Sequence, residues 1–145
     1  MAEIRQILLV EDDPNDVTLT MTAFEEANLA NRVDVCVDGE DALDYLNCRG
    51  KYEERPANNP AVILLDCKLS KISGLEVLRA IRGCDKLRTI PVVMVTSSRE
   101  NRDLADAYEL GVNAYVVKPV EFPEFVDALR QIGMFWAAIN QPPIK

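Results

Sequence analysis

Histidine is absent from all 145 residues. Without an imidazole the chain cannot build a Ser-His hydrolase, a His-ligated metal site or a phosphohistidine of its own. Positive charge is scarce beside negative: 16 lysines and arginines face 24 aspartates and glutamates, a formal net charge of -8. Nucleic acid and anionic membrane surfaces would be repelled, so the expected partners are proteins or cations. Cys36, Cys48, Cys67 and Cys84 form no C-x-x-C pair, which argues for reduced, structural thiols and against zinc. Cys67 has no activating base in view. No apolar run approaches membrane-spanning length, and the run Ile7 to Val10 is too short for a signal peptide and leads straight into acid. A cytoplasmic protein of one domain is the expectation, since the length allows one sizeable core and leaves no room for a second.

What is present is an alternation of strand-like and helix-like runs from end to end, without linker, repeat or low-complexity tract. Strands are expected at Ile4 to Val10, Arg32 to Val37, Ala61 to Leu65, Pro91 to Val95 and Asn113 to Val117. The third is apolar throughout, as a strand buried on both faces must be. Helix starts are marked by Asp13 before Pro14, by the acids following Asp38, by Ser73 before Gly74, by Thr96 to Ser98, and by Phe122 with Pro123. The second helix should end before Gly50 and the fourth at Gly111, and 51–60 reads as an exposed loop. Five strands and five helices joined by right-handed crossovers give an α/β, flavodoxin-like doubly wound parallel sheet of order 2-1-3-4-5.

In that order the carboxyl ends of strands one, three, four and five converge. They carry Glu11 and Asp12, Asp66, Thr96, and Lys118 to one edge. Three carboxylates at close range raise one another's pKa values, and one lysine does not balance them, so a divalent cation is implied. Oxygen donors without histidine or thiolate favour magnesium or manganese, and such a site suits a phosphoryl group. Asp66 would attack phosphorus to form an acyl phosphate, the cation and Lys118 would neutralise the phosphoryl oxygens, and the Thr96 hydroxyl would donate to one of them. The new charge should draw Thr96 inward and vacate space for a neighbouring side chain. Each residue alone has a plainer reading: a helix cap for 11–13, a turn aspartate for Asp66, a surface lysine for Lys118, and packing for Tyr115. A nucleotide-binding flavodoxin-like domain is disfavoured because the loop after the first strand is acidic rather than glycine-rich. A haloacid-dehalogenase-like phosphatase is disfavoured because position 68 is lysine, not the second acid of D-x-D.

The motifs ILLVEDD (Ile7 to Asp13), ILLD (Ile63 to Asp66), Gly74, PVVMVTS (Pro91 to Ser97) and AYVVKP (Ala114 to Pro119) resemble bacterial response-regulator receiver domains over nearly the whole chain. The resemblance implies Asp66 as phosphoacceptor, Asp12 as a direct magnesium ligand, Glu11 acting through water, and the Lys68 backbone carbonyl as a further ligand. It implies Thr96 and Tyr115 as a switch pair, a cis bond between Lys118 and Pro119, and a receiver without an output domain. Ser70 and Ser73 depart from the proline and aspartate common in the family, and Lys68 places a long cation beside Asp66. The long loop before Ala61 and the ending Met134 to Trp136 with a proline-bearing tail resemble regulators paired with bacterial phytochromes. This implies a sensor histidine kinase, a phytochrome, as phosphoryl donor and an unspecified downstream protein. It does not imply an enzyme acting on other substrates. A degenerate receiver serving as a scaffold is the rival, though all the acids and the lysine are present. Phe135 and Trp136 belong either to the core or to a homodimer surface.

Overall fold

A computed structural model describes residues 6–28, 32–118 and 121–141, with 138 and 139 described by backbone alone. Five strands form one parallel sheet of order β2-β1-β3-β4-β5: β1 (Ile7–Val10), β2 (Val33–Cys36), β3 (Val62–Leu65), β4 (Val92–Thr96) and β5 (Ala114–Val117). The helices are α1 (Pro14–Glu26), α2 (Gly39–Leu46), α3 (Gly74–Arg82), α4 (Asn101–Glu109) and α5 (Phe122–Met134), the last running on into a π-helical turn, Phe135–Ile139.

The three central strands are apolar at every position except Thr96, the last residue of β4, because both faces are covered. Leu8, Val10, Ile63, Leu65, Val92 and Met94 point to one side, where they meet α2, α3 and α4 through Tyr45, Leu78, Ile81 and Ala107. Their neighbours Ile7, Leu9, Val62, Leu64, Val93 and Val95 point to the other, against Phe24 of α1 and Phe125 and Leu129 of α5. This period-two partition produces the doubly wound arrangement expected from the sequence.

β2, β3 and β5 are slightly shorter than the sequence pattern, and β4 keeps its five residues but is shifted by one. Ala61 donates to the Gln6 carbonyl (2.8 Å) and Asn113 to the Val92 carbonyl (2.9 Å), so flanking residues pair with the sheet's edge without extending it. Residues 4 and 5 of the expected first strand lie outside the described residues. The caps follow the chemistry read from the sequence. Asp13 accepts from Asn15 N–H (2.9 Å), Asp38 from Asp41 N–H (2.7 Å) and Ser73 from Glu76 N–H (3.2 Å).

The segment 51–60 is less exposed than expected. Arg55 stacks over the Tyr45 ring at 4.0 Å and donates to the Tyr45 carbonyl (2.9 Å), Tyr52 OH donates to Asp41 (2.8 Å), and Asn59 reaches the Lys86 carbonyl (2.9 Å). Long polar side chains fasten the segment to α2 and to the connection between α3 and β4, which a composition of Lys, Glu, Arg and Asn does not disclose. The tail divides: Trp136 packs against the core on the α1 and α5 side, while Phe135, edge-on to it at 4.8 Å, is 47% exposed.

Gly74 opens α3 where its backbone passes over the end of β3. A Cβ there would run into the Asp66 carbonyl oxygen and come 2.9 Å from Cys67 Cα. Those are backbone atoms and cannot swing aside. Gly74→Ala is expected to cost roughly 3 kcal/mol by forcing α3 away from the sheet, read as a lowered urea midpoint; an unchanged midpoint would show that the helix start can shift freely.

Candidate functional site

β1 and β3 are parallel neighbours with Val10 opposite Leu65. The next residue on each strand, Glu11 and Asp66, therefore emerges at the same level, and both are buried. β5 delivers Lys118, whose backbone N–H donates to the Thr96 carbonyl at the end of β4 (2.8 Å). The Lys118 ammonium lies 2.8 Å from Glu11 Oε2, 3.2 Å from Asp66 Oδ2 and 3.3 Å from Asp16 Oδ2. Its three donors thus meet three carboxylates. Asp66 Oδ1 accepts from the fully buried Thr96 hydroxyl (2.8 Å) and from the Lys68 N–H (3.1 Å).

Crowding like charges out of water disfavours ionising all of them. Burial, reinforced by Asp66, pushes the Glu11 carboxyl up to about 7 against the pull of Lys118. Burial acts to raise Asp66 too, but the hydrogen bond shared with Glu11, the Lys118 charge and the Lys68 and Thr96 donors outweigh it, and its pKa falls below the ordinary carboxylate range. Lys118 is raised despite its own desolvation, because Glu11, Asp66 and Asp16 favour the ammonium form.

Each residue singled out in the sequence now has a place. Glu11, Asp66, Thr96 and Lys118 come together. The Asp12 Oδ2 accepts from Ser70 N–H (3.0 Å) and Ser70 Oγ (2.7 Å) in the β3–α3 loop. Lys68 turns its ammonium toward Asp103 of α4 (3.3 Å), and Asp103 also accepts from the Ser98 hydroxyl (2.6 Å). Tyr115 OH donates to the Ser98 carbonyl (3.1 Å). The Thr96 hydroxyl, expected to move inward, is already on Asp66 in this structure. The cis bond expected between Lys118 and Pro119 lies outside the described residues.

Asp16 was not anticipated. It stands in the first turn of α1, three residues after the Asp13 cap, a position whose acidic preference is explained by the helix dipole and so drew no notice. It also lines a cavity of about 220 Å³ with Leu19, Thr20, Ser97, Lys118 and Phe125. Among the described residues Glu11, Asp16 and Asp66 each offer an oxygen within 4.8 Å of the others. This all-oxygen, hard donor set fits magnesium or manganese and fits zinc or copper poorly.

Clustered carboxylates, a hydroxyl and a lysine at the carboxyl edge of a doubly wound parallel sheet define an acidic site of the signalling-receiver class. The chain belongs to the response regulator receiver domain family, whose model matches residues 7–130. It is 59% identical to the bacteriophytochrome response regulator AtBRR, with 97% of this chain and 100% of that one covered and a TM-score of 0.79. It is 32% identical to the phosphorylated cyanobacterial phytochrome response regulator RcpA, covering 98% and 100% of the two chains with a TM-score of 0.89. It is 35% identical to response regulator Rcp1 of Synechocystis sp. over 90% of this chain and 87% of that protein. The Mn2+-bound form of Rcp1 superposes with a TM-score of 0.86 at 34% identity, over 97% and 99% of the chains. Among the described residues no helix is long and apolar enough to cross a membrane.

The raised Glu11 pKa has a thermodynamic consequence. A group whose pKa rises on folding lends stability below its unfolded value, here near 4.5, and that stability is lost as pH rises through about 7. Without divalent cations, the native protein should lose more of its denaturation midpoint between about pH 5 and about pH 8 than Glu11→Gln does. Parallel pH profiles would contradict the crowding of Glu11 against Asp66.

Proposed function

We propose that this chain is a phosphoacceptor of a two-component relay: Asp66 takes a phosphoryl group from the histidine of a sensor kinase, a bacterial phytochrome, and the modified protein signals through contacts with a downstream protein. The observation that carries this reading is the pair of contacts on the Asp66 carboxylate, Thr96 Oγ1 at 2.8 Å on one oxygen and Lys118 Nζ at 3.2 Å on the other. Kinship with AtBRR and RcpA, both described as phytochrome response regulators, supports the choice of donor.

In the transfer, an Asp66 oxygen bonds to phosphorus as the P–N bond of the donor phosphohistidine breaks and its electrons return to the imidazole. Asp66 suits the task because Lys118 and its hydrogen bonds keep it ionised. Lys118 then neutralises phosphoryl oxygens in place of carboxylates, and the Thr96 hydroxyl and Lys68 N–H remain as donors. Glu11, Asp12 and Asp66, with the Lys68 carbonyl, would hold magnesium or manganese, which supplies the remaining positive charge that the phosphoryl oxygens require. Thr96 and Tyr115 form the switch: both reach Ser98, Thr96 through its Oγ1 at 3.3 Å from the Ser98 N–H and Tyr115 through the Ser98 carbonyl. The receiver acts in the cytoplasm and catalyses its own phosphorylation and dephosphorylation.

Incubation with acetyl phosphate followed by intact-mass measurement tests this. Native protein should gain one phosphate when magnesium is present and none in chelator, and Asp66→Asn should gain none. A phosphate on both proteins, or on neither, would reject Asp66 as acceptor.

A further inference from the structure

Asp16 has no role in the proposed transfer, yet it is one of the three carboxylates that hold the Lys118 ammonium. A lysine is a compact charge on a flexible four-carbon stem. The donors of Lys118 face Glu11 Oε2 at 2.8 Å, Asp66 Oδ2 at 3.2 Å and Asp16 Oδ2 at 3.3 Å. These partners differ in what the chemistry leaves of them. Asp66 is the acceptor, and an aspartate that becomes an acyl phosphate gives up its carboxylate charge. Glu11 belongs to the set assigned to the divalent cation, which takes a share of its charge. Asp16 is the partner that neither event engages.

Asp16 is also well placed to hold a flexible side chain. It stands in the first turn of α1, where Asp13 caps the helix, Pro14 starts it, and Thr20, Ala23 and Phe24 bury the face beyond. Its backbone is thereby fixed, and its own side chain is short. Beside the ammonium there is room: Asp16 and Lys118 both line the cavity of about 220 Å³, with Leu19, Thr20, Ser97 and Phe125. An ammonium without this hold has that space to turn into, and misplacement of a reacting group by about 1 Å can slow a reaction about a hundredfold.

We infer that Asp16 is a positioning residue for phosphoryl transfer, keeping the Lys118 ammonium beside the Asp66 carboxylate as the phosphoryl group arrives. This rests on the phosphoacceptor reading above and adds to it a residue that is neither the acceptor nor one of its proposed cation ligands. Asp16 also brings negative charge near an incoming anion. That charge is paired with Lys118 at 3.3 Å, which offsets most of the repulsion, so the hold on Lys118 is the larger effect.

The test compares native protein, Asp16→Asn and Asp16→Ala in three measurements. These are Mn2+ binding without phosphodonor, the rate of phosphate uptake from acetyl phosphate at saturating Mn2+, and acetylation of Lys118 by limiting acetic anhydride relative to the exposed Lys51. Asp16→Ala should take up phosphate about tenfold more slowly, the worth of one hydrogen bond between charged groups. Asp16→Asn, which keeps an oxygen acceptor without the charge, should fall between. Lys118 should label faster relative to Lys51 in Asp16→Ala, and neither variant should bind Mn2+ more weakly than the native protein. An unchanged uptake rate in Asp16→Ala overturns the inference, as does slower uptake with Lys118 labelling unchanged. Weakened Mn2+ binding overturns it in favour of Asp16 as a cation ligand. In each of these cases the phosphoacceptor reading stands, whereas a native protein that takes up no phosphate overturns both.

Discussion

One ammonium group, that of Lys118, holds together carboxylates that would otherwise repel one another. Glu11, Asp16 and Asp66 share it, and the site remains short of positive charge even so. Every other feature of the carboxyl edge follows from that deficit. Glu11 retains a proton more readily than a free glutamate, Asp66 stays ionised at its expense, and the pocket is left with an affinity for whatever cation can enter. An electrostatic imbalance of this kind destabilises a resting fold, and it persists where function depends on it.

The sheet supplies the rigidity that such crowding needs. Parallel pairing of β1 with β3 fixes Glu11 beside Asp66, and pairing of β4 with β5 brings Thr96 and Lys118 to the same level. Because the central strands are packed on both faces, the side chains at their ends cannot relax apart by bending the sheet. The loops are the compliant part. Lys68, Ser70 and Lys71 in the β3–α3 loop reach respectively to α4, to the β1–α1 turn and to the start of α2, so that single loop touches three neighbouring segments.

From Asp66 a run of contacts leads outward. The Thr96 hydroxyl stands between Asp66 and the Ser98 N–H, Ser98 donates to the buried Asp103, and Asp103 pairs with Lys68. Asp103 lies on α4, the helix that exposes Leu104 and Tyr108. A change of charge at Asp66 is therefore two side-chain hydroxyls, those of Thr96 and Ser98, away from Asp103 in the first turn of a helix that exposes apolar side chains. Electrostatic coupling over such short, partly buried links is weakly screened.

The sequence by itself determined the fold and most of the site. Uninterrupted apolar runs at 62–65 and 92–95 can satisfy both of their faces only inside a parallel sheet, and that sheet's topology forces Glu11, Asp66, Thr96 and Lys118 to one edge. Caps such as Asp13, Asp38 and Ser73 were legible because each acts on backbone two or three residues away. Tertiary structure alone decided where Asp12, Asp16 and Lys68 point. The partners of these side chains, Ser70, Lys118 and Asp103, stand 58, 102 and 35 positions away in the chain. Local periodicity fixes which residues arrive at an edge, whereas the direction each long or charged side chain takes is settled by competition among donors that only the folded chain brings within reach.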